Sequence, residues 1–468
     1  MTRPLVFLLL LVAAFFQTAC LVGPNYKRPQ VNVPPAYRGP DGSAAGTAAE
    51  KSLGDEKWWS VFQDEQLQKL IRTALEQNYD LRIAATHILE AQAQLAATRA
   101  DQFPTISGVA QDSGLRSPPL GGGFPTFTYN SIQLALSASW NPDFWGKYRR
   151  ATEGARAELL ANQWAQKAVV SSLVGSVASS YFALRELDLQ LQISQRTLAA
   201  RQQSLELTTK LVDGGAAPVT DERQAQELVE TASAAIPDIE RQIQQQENAI
   251  TTLLGQNPGP ITRGRALIDQ PLPDTIPAGL PSALLERRPD IREAEQRLVA
   301  ANAQIGVARA AFFPDISLTA LGGIQSGSLT TLFRGSSRAW SYTGSATQPI
   351  FTAGRLKANL RFSEAQKQEM VLSYQQSIQQ AFRDVSNSLI AYQKYRVART
   401  HVEALTAAAK DASDLSHTRY QGGATSYLEV LTSETNYYSA ELNLAAARFN
   451  ERLALVQVYG ALGGGWQQ

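Results

Sequence analysis

The chain has 468 residues, a length that suits about three ordinary domains. Its net charge of +1, from 43 Lys and Arg against 42 Asp and Glu, gives no basic excess that would indicate nucleic-acid binding. A hydrophobic content of 44% excludes a disordered chain, and a mean hydropathy of −0.21 excludes a helical membrane protein. The single cysteine excludes an intramolecular disulfide and any zinc site built from cysteines.

The N-terminus has the pattern of an export signal. Arg3 precedes an apolar run over 5–16, which is too short to span a bilayer but has the length of a signal-peptide core. Small residues follow, and directly after them stands Cys20, the only cysteine in the chain. This position favours a bacterial lipoprotein signal over an inert buried cysteine, although Gln17 stands where leucine is usual in such signals. We therefore predict a signal peptide over 1–19 and a lipid on Cys20.

The rest of the chain repeats itself at a spacing of 207 to 210 residues. Phe103-Pro104 matches Phe313-Pro314, and a glycine pair at 214–215 matches another at 422–423. Such regular self-similarity is typical of a duplicated structural unit. The predicted domains are a strap at 20–60 that is rich in Pro, Gly, Ala and Ser, repeat unit 1 at 61–260, a linker at 261–289 and repeat unit 2 at 290–468.

Each unit begins with a predicted helix. In unit 1 the helical pattern covers about 64–101 and is interrupted near Asn78, whereas in unit 2 it covers about 290–311. Asp290, with Glu293 three residues later, has the arrangement of a capping box. We therefore expect the unit 2 helix to begin at Asp290.

Two strands are predicted after the first helix of each unit. In 131–140 and 315–324, apolar residues alternate with polar ones, which suits a tilted strand with one face toward lipid and the other toward water. Their partners, about 104–112 and 341–350, alternate less cleanly. The segments between paired strands are rich in Gly, Ser and Pro and are predicted to be exposed loops. A soluble sandwich is the alternative, but four strands make a poor one.

Long helices without internal proline follow the strands in both units. Between 147 and 212, apolar residues recur at strict spacings of seven, at Val170, Val177, Leu184, Leu191, Leu198, Leu205 and Val212. This repeat predicts a rod of roughly 100 Å packed along one supercoiled seam. The counterpart at 355–420 has the same spacing, both rods end at a glycine pair, and returning helices are predicted at 220–254 and 425–459. Helices alone would favour an ordinary coiled-coil stalk.

The combination of strands and rods indicates an assembly of several copies. Strands in a membrane must close into a barrel, because open edges leave backbone groups unpaired in hydrocarbon. Four strands are too few, since the smallest outer-membrane barrels have about eight. Three copies would supply twelve strands and a cylinder of helices, although two or four copies would also close a barrel. We interpret the assembly as a duct with a watery lumen.

Several stretches closely resemble the TolC superfamily, and most of all the OprM-type (NodT family) outer-membrane efflux lipoproteins. They are 278–292, which contains Leu285-Glu286-Arg287-Arg288-Pro289-Asp290, followed by 301–308, Phe312-Phe313-Pro314, Val22-Gly23-Pro24-Asn25-Tyr26 and Gly463-Gly464-Gly465-Trp466. The resemblance implies an α+β membrane protein, a homotrimer whose four strands per chain form a twelve-stranded outer-membrane barrel. This barrel would continue into a periplasmic cylinder of twelve helices, with an equatorial region built partly by the linker.

The resemblance also implies a function and partners. Similar proteins are passive, gated exit ducts for drugs or other small toxic compounds. They work with a periplasmic adaptor and a proton-driven inner-membrane pump of the RND class. Cys20 would carry N-palmitoyl and S-diacylglycerol groups, which would anchor the protein in the outer membrane while it extends into the periplasm.

The resemblance implies a functional role for only a few residues. The hairpin tips, with Gly214, Gly215, Gly422 and Gly423, would dock the adaptor and form the gated end. Arg419 and Tyr420 match the family's Arg-Tyr pair of the closed state, and Leu428 matches a constricting leucine. Thr432 stands where the family often has Asp, so the usual ionic latch is absent here or rebuilt with Glu429 or Glu434.

Other functional classes find less support in the sequence. It contains no Ser-His-Asp signature, phosphate-binding glycine loop or metal-ligand cluster, so we predict no enzyme, no metal site and no cofactor other than the covalent lipid. His87, His401 and His417 are interpreted as surface residues. A duct for type I protein secretion or for metal-ion efflux is the alternative function.

Overall fold

The computed structural model describes residues 21–39, 44–45, 51–117, 127–273 and 276–467. The predicted signal peptide and Cys20 lie outside the described residues. The chain divides into two compact units. The first comprises the described parts of Met1–Gln30, His87–Asn162 and Glu293–Tyr374, and the second those of Val31–Thr86, Gln163–Arg292 and Gln375–Gln468.

Helices dominate the described residues, and four strands form the larger sheet. In chain order the elements are α1 (Trp58–Val61), α2 (Glu65–Gln77), α3 (Tyr79–Ala100), β1 (Thr105–Ser117), β2 (Phe127–Trp140), α4 (Lys147–Asp213), α5 (Val219–Leu253), α6 (Pro281–Arg287), α7 (Pro289–Ala310), β3 (Asp315–Ser326), β4 (Arg338–Thr347), α8 (Arg355–Gln421) and α9 (Tyr427–Ala461). Helices at corresponding places have equal lengths: 22 residues for α3 and α7, 67 for α4 and α8, and 35 for α5 and α9. A short antiparallel pair joins Tyr37–Arg38 to Ala44–Ala45.

The interruption between α2 and α3 falls at Asn78. The Asp64 carboxylate caps α2 by accepting the amide hydrogens of Gln66 at 2.9 Å and Leu67 at 3.2 Å. Asn78 then accepts the Leu81 amide at 3.0 Å, while its own amide donates to the Leu253 carbonyl at 2.9 Å. The Asn78 side chain therefore caps the start of α3 and binds α5, while its backbone amide closes α2 by donating to the Ala74 carbonyl.

Residues 21–34 form neither helix nor strand, and their first part docks on the start of α4. Arg150 is 2% exposed and donates to the Val22 and Gly23 carbonyls, both at 3.3 Å, and to Asn25 Oδ1 at 2.8 Å. Gly23 has a φ of +104°, and a Cβ there would lie 2.5 Å from the Gly306 Cα. A glycine is required at this point because the strap passes directly over α7.

Several predicted boundaries differ from the observed ones. The helix α7 begins at Pro289 rather than Asp290, so the predicted capping box is wrong: the Asp290 carboxylate accepts from Arg288 at 2.6 Å instead. The last strand covers Arg338–Thr347 rather than 341–350, because Pro349 has no amide hydrogen to continue a ladder. The first strand runs on to Ser117, where pairing with β2 continues although the alternation fades.

The predicted seam of α4 is buried along only part of its length. Val170, Val177 and Leu184 are at most 8% exposed, whereas the four later members, Leu191, Leu198, Leu205 and Val212, are partly exposed. The chain by itself therefore buries one stretch of this seam, whereas the apolar side chains of the later stretch remain partly exposed.

Candidate functional site: the sheet and the hairpin tips

The four strands form one antiparallel sheet in the order β1-β2-β3-β4. Residues paired across neighbouring strands point to the same side, and successive residues point to opposite sides. The registers pair Leu134 with Ile324 and Tyr342 with Ala320, so the apolar positions of different strands fall on one side. The sheet therefore has two chemically distinct faces.

The apolar face carries large hydrophobic side chains that the chain leaves uncovered. Ile106 is 73% exposed, Leu136 is 65% exposed, and Trp340 and Tyr342 are each 76% exposed. At the end of the sheet where β1 leads toward β2 and β3 toward β4, the same face carries the polar residues Asp112, Arg116, Thr128, Asn130, Ser326 and Arg338. Its remaining members are mainly small or apolar: Gly108, Ala110, Gly114, Ile132, Leu134, Ala138, Trp140, Ile316, Leu318, Ala320, Gly322, Ile324, Gly344 and Ala346. A surface of this composition suits hydrocarbon rather than water.

The opposite face, here called the hydroxyl face, is lined mostly by serine, threonine and glutamine. Ser317 and Ser345 lie 2.9 Å apart through their hydroxyl oxygens, and Gln325 donates to the Ser131 hydroxyl at 2.8 Å. Its other polar members are Thr105, Ser107, Gln111, Ser113, Ser117, Tyr129, Gln133, Ser137, Ser139, Asp315, Thr319, Ser341, Thr343 and Thr347. This face suits contact with water.

Both outer strands of the sheet have an open edge. Among the described residues β1 pairs only with β2, and β4 pairs only with β3. Backbone groups along these edges need partners if the sheet lies in a membrane, because water is absent there. The sheet therefore has two edges along which further strands could pair.

The two helix hairpins end in the same backbone turn. Gly215 and Gly423 each have a φ of +69°, the left-handed conformation that favours glycine. The amide of the residue after each glycine donates back to the helix at 2.8 Å, from Ala216 to the Leu211 carbonyl and from Ala424 to the Arg419 carbonyl. Gly214 and Gly422 precede them in the turn and have ordinary φ values.

Arg419, at the end of α8, forms an ion pair within its own hairpin. Its Nη1 donates to Glu429 Oε1 on α9 at 2.6 Å, and the Thr425 hydroxyl also donates to the Glu429 carboxylate. Of the two acids suggested by the sequence, Glu429 is therefore the one that binds Arg419. Both side chains are well exposed, at 54% and 41%.

Tyr420 connects the two hairpins instead of bonding within one. Its hydroxyl donates to Asp221 Oδ2 near the start of α5 at 3.2 Å, and its ring packs edge-on against Tyr427 with centroids 5.2 Å apart. Burial, assisted by the Asp221 carboxylate, raises the pKa of Tyr420 to about 12. The hydroxyl therefore remains a hydrogen-bond donor at any physiological pH.

The remaining two gate candidates lie on the exposed side of α9. Leu428 is 57% exposed and lines a groove of about 820 Å³ between α8 and α9, together with Leu405 and Ala412. The Thr432 hydroxyl donates to the carbonyl of Leu428 at 2.8 Å. Thr432 thus bonds its own helix and does not replace the family's Asp as a partner of Arg419.

A charged cluster near the tips was missed by the sequence reasoning. His417 Nε2 lies 2.7 Å from Glu434 Oε1, and the other carboxylate oxygen of Glu434 lies 3.9 Å from Nε of Arg201 on α4. Arg201 is 2% exposed, donates to the Leu228 carbonyl at 3.0 Å and faces the Tyr438 ring at 5.2 Å. His417, predicted to be a surface residue, is 34% exposed and in addition forms an ion pair that the sequence did not predict.

The cluster has shifted proton affinities. The hydrogen bond to Glu434 raises the pKa of His417 above its ordinary value, although burial acts in the opposite direction. Burial lowers the pKa of Arg201 from its ordinary value. The sequence contains one hint of this cluster. Glu434 is charged, whereas Gln226, the residue 208 positions earlier, is neutral.

Comparison with known proteins places these features in a family. A model of the outer membrane efflux protein family matches the chain twice, at residues 70–256 and 280–464. The chain belongs to the outer membrane efflux protein family. It is 37% identical to the cation efflux system protein CusC of Escherichia coli over 96% of this chain and 97% of that protein.

Other similar proteins extend the comparison. The probable efflux pump outer membrane protein TtgC of Pseudomonas putida is 36% identical over 100% of this chain and 97% of its own length. The open-state structure of the MtrE outer membrane channel of Neisseria gonorrhoeae superposes with a TM-score of 0.85 at 33% identity, over 96% of this chain and 99% of that chain. The chain is thus an outer-membrane efflux channel protein, and it covers these relatives almost completely.

Proposed function

We propose that three copies of this chain form a passive, gated duct through which drugs or other small toxic compounds leave the cell. The observation that carries the proposal is the two-faced sheet with both edges open among the described residues. Four strands cannot close a membrane barrel, whereas twelve strands from three copies can. Resemblance to the TolC superfamily supports three copies over two or four.

The helices supply the periplasmic part of the duct in this proposal. A helix of 67 residues is about 100 Å long. The partly exposed second half of the α4 seam would be covered by helices of a neighbouring copy, as a seven-residue apolar repeat favours. The equal helix lengths and the two family matches support an internally duplicated chain whose halves contribute alike to the cylinder.

The hairpin tips form the gated end in this proposal. Arg419, Tyr420, Leu428 and Thr432 would contribute to the closed state, and the turns at 214–215 and 422–423 would receive a periplasmic adaptor. An inner-membrane RND pump would supply the energy and the choice of substrate. The covalent lipid on Cys20 would add an anchor to the outer membrane.

Gene deletion with complementation tests the function. We expect deletion to lower resistance to a broad panel of small antimicrobial compounds, and wild-type protein to restore it. Cys20→Ala should restore most of it, because the barrel itself holds the membrane. Unchanged susceptibility across the panel would contradict drug efflux, and loss of tolerance to metal cations alone would favour the metal-ion alternative suggested by the similarity to the cation efflux system protein CusC.

The number of copies is tested on purified material in mild detergent. Native mass spectrometry should give an assembly of three chains. A monomer under conditions that preserve helical circular dichroism would contradict the proposed duct.

A further inference from the structure

The two strand hairpins have the same internal register. Thr105 pairs with Ser139, and the equivalent residues 210 and 208 positions later, Asp315 and Thr347, also pair. The far ends keep the same spacings, since Gly114 pairs with Asn130 and Ile324 pairs with Arg338. Residues 105–116 of β1 therefore have structural equivalents in β3, and residues 130–139 of β2 have them in β4.

The contact between the two hairpins is also fully specified within the chain. In that contact β2 pairs with β3, with Ala138 opposite Ala320, Ser137 opposite Leu321 and Leu134 opposite Ile324. In this contact each residue of β2 can be replaced by its equivalent in β4, 208 positions later, and each residue of β3 by its equivalent in β1, 210 positions earlier. The result is a contact between β4 of one copy and β1 of the next. We infer that β4 and β1 of neighbouring copies pair in the register that places Ala346 opposite Ala110, Ser345 opposite Gln111, Tyr342 opposite Gly114 and Trp340 opposite Arg116. This inference rests on the proposed duct.

Side chains at the two edges fit each other in this register. Trp340 and Tyr342 stack with centroids 6.0 Å apart and planes 5° apart, and both are 76% exposed at the edge of the sheet. Tyr342 would cover Gly114 of the neighbouring copy, an arrangement in which an aromatic ring protects a strand glycine. Trp340 would face the Arg116 guanidinium, which is attracted to the face of an indole ring.

The register also keeps the two faces of the sheet consistent from one copy to the next. Following paired residues across the chain leads from Ile106 through Ala138, Ala320 and Tyr342 to Gly114 of the next copy. This path advances eight residues along β1. Because side chains alternate with a period of two, an even advance keeps the apolar face outward around the whole barrel.

Paired cysteine substitutions test the register directly. Ala346→Cys with Ala110→Cys, and Ser345→Cys with Gln111→Cys, represent two adjacent pairs, one on each face, so one of them has the shorter spacing between backbones. Within a single chain the two edges are separated by three strand spacings, about 14 Å, which is beyond the reach of a disulfide. After oxidation in membranes, non-reducing gels should show covalent dimers and trimers.

The matched controls shift the register by two residues in either direction. They combine Ala346→Cys with Gly108→Cys or with Asp112→Cys, and a Cβ at Gly108 meets no atom within 4 Å. In the inferred register these diagonal pairs lie about 7–8 Å apart and should cross-link at least tenfold less.

The outcomes separate the register from the duct itself. If a control pair cross-links efficiently and neither inferred pair does, the inferred register is wrong, but the proposed duct is unaffected. If none of the four pairs cross-links in protein that native mass spectrometry finds to be trimeric, the inferred register is also wrong. If none cross-links and the protein is monomeric, the proposed duct is wrong.

Discussion

The two hairpin tips have the same backbone but use their side chains differently. Glu429 in the second hairpin bonds Arg419 of the same hairpin, whereas Asp221, 208 residues earlier, accepts the hydroxyl of Tyr420 from the other hairpin. Equivalent acids thus serve one contact within a hairpin and one between hairpins. The difference teaches that the two tips share a backbone turn, while equivalent acids in them take different partners, one within its own hairpin and one across to the other.

The largest effect is expected from the buried cation between the hairpins. Arg201→Met removes the guanidinium beside Glu434 and should destabilise the protein by about 2 kcal/mol or more, because the carboxylate loses a buried partner. Thermal unfolding followed by circular dichroism at fixed chain concentration measures the change. Arg196→Met is the matched control, since Arg196 is 62% exposed on the same helix where it pairs with Glu441, and it should change stability by less than about 1 kcal/mol. Equal effects would mean that the buried cluster does not join the hairpins.

The shared backbone predicts equal effects at the two turns. Gly215→Ala and Gly423→Ala should each lower stability by about 1 kcal/mol, because both glycines have a φ of +69° and a Cβ there meets no neighbour. The same unfolding measurement applies. Gly422→Ala is the control, since its φ is ordinary and the added Cβ makes only van der Waals contact with the Thr418 carbonyl. A clear difference between Gly215→Ala and Gly423→Ala would contradict the equivalence of the turns.

The second hairpin alone should respond to pH through His417. Because the pKa of His417 is raised in the folded protein, its ion pair with Glu434 stabilises fully below the ordinary histidine value of 6.5 and is lost as the pH rises through the raised value. The midpoint of unfolding of His417→Gln should therefore lie below that of wild type at pH 6, and the gap should narrow at pH 8.5. His401→Gln serves as the control on the same helix, because no ion pair of His401 is found in the described part of the chain. A gap independent of pH would refute the assignment to this ion pair.

The smallest change in stability is expected from the exposed ion pair at the second tip. Glu429→Gln should lower stability by only a few tenths of a kcal/mol, since both partners are well exposed. If the pair holds the proposed gate, however, single-channel conductance in planar bilayers should rise, and high salt should produce a similar rise in wild type. Asp221→Asn, which weakens the bond from Tyr420, tests the contact between hairpins in the same recordings. Unchanged conductance in both variants would remove Arg419 and Tyr420 from the gate.

Much of the fold could be read from the sequence because its patterns are long and local. The seven-residue repeat predicted the C-terminal end of α4 to within one residue. The alternation in 131–140 predicted the part of β2 that carries the apolar face. The glycine pairs predicted both turns, since few residues other than glycine adopt a positive φ.

The side-chain partners at the tips could not be read in the same way. Asp221 and Tyr420 are separated by 199 residues, and Arg201 and Glu434 by even more, so their contacts depend on how two hairpins pack. The local sequence pattern also gave a wrong prediction at Asp290. There the carboxylate accepts a hydrogen bond from Arg288 instead of capping the helix. In each case a longer-range or charged partner outweighed the local preference.

The hydroxyl face of the sheet has a consequence for selectivity. Its polar side chains are almost all uncharged alcohols and amides, with Asp315 at the end of β3 as the acidic exception. Once closed into a pore, such a wall would create little electrostatic potential, so cations, anions and neutral solutes would partition into it about equally. In the strand part of the duct, passage would then be limited mainly by molecular size, and one such exit could serve upstream pumps with very different cargoes.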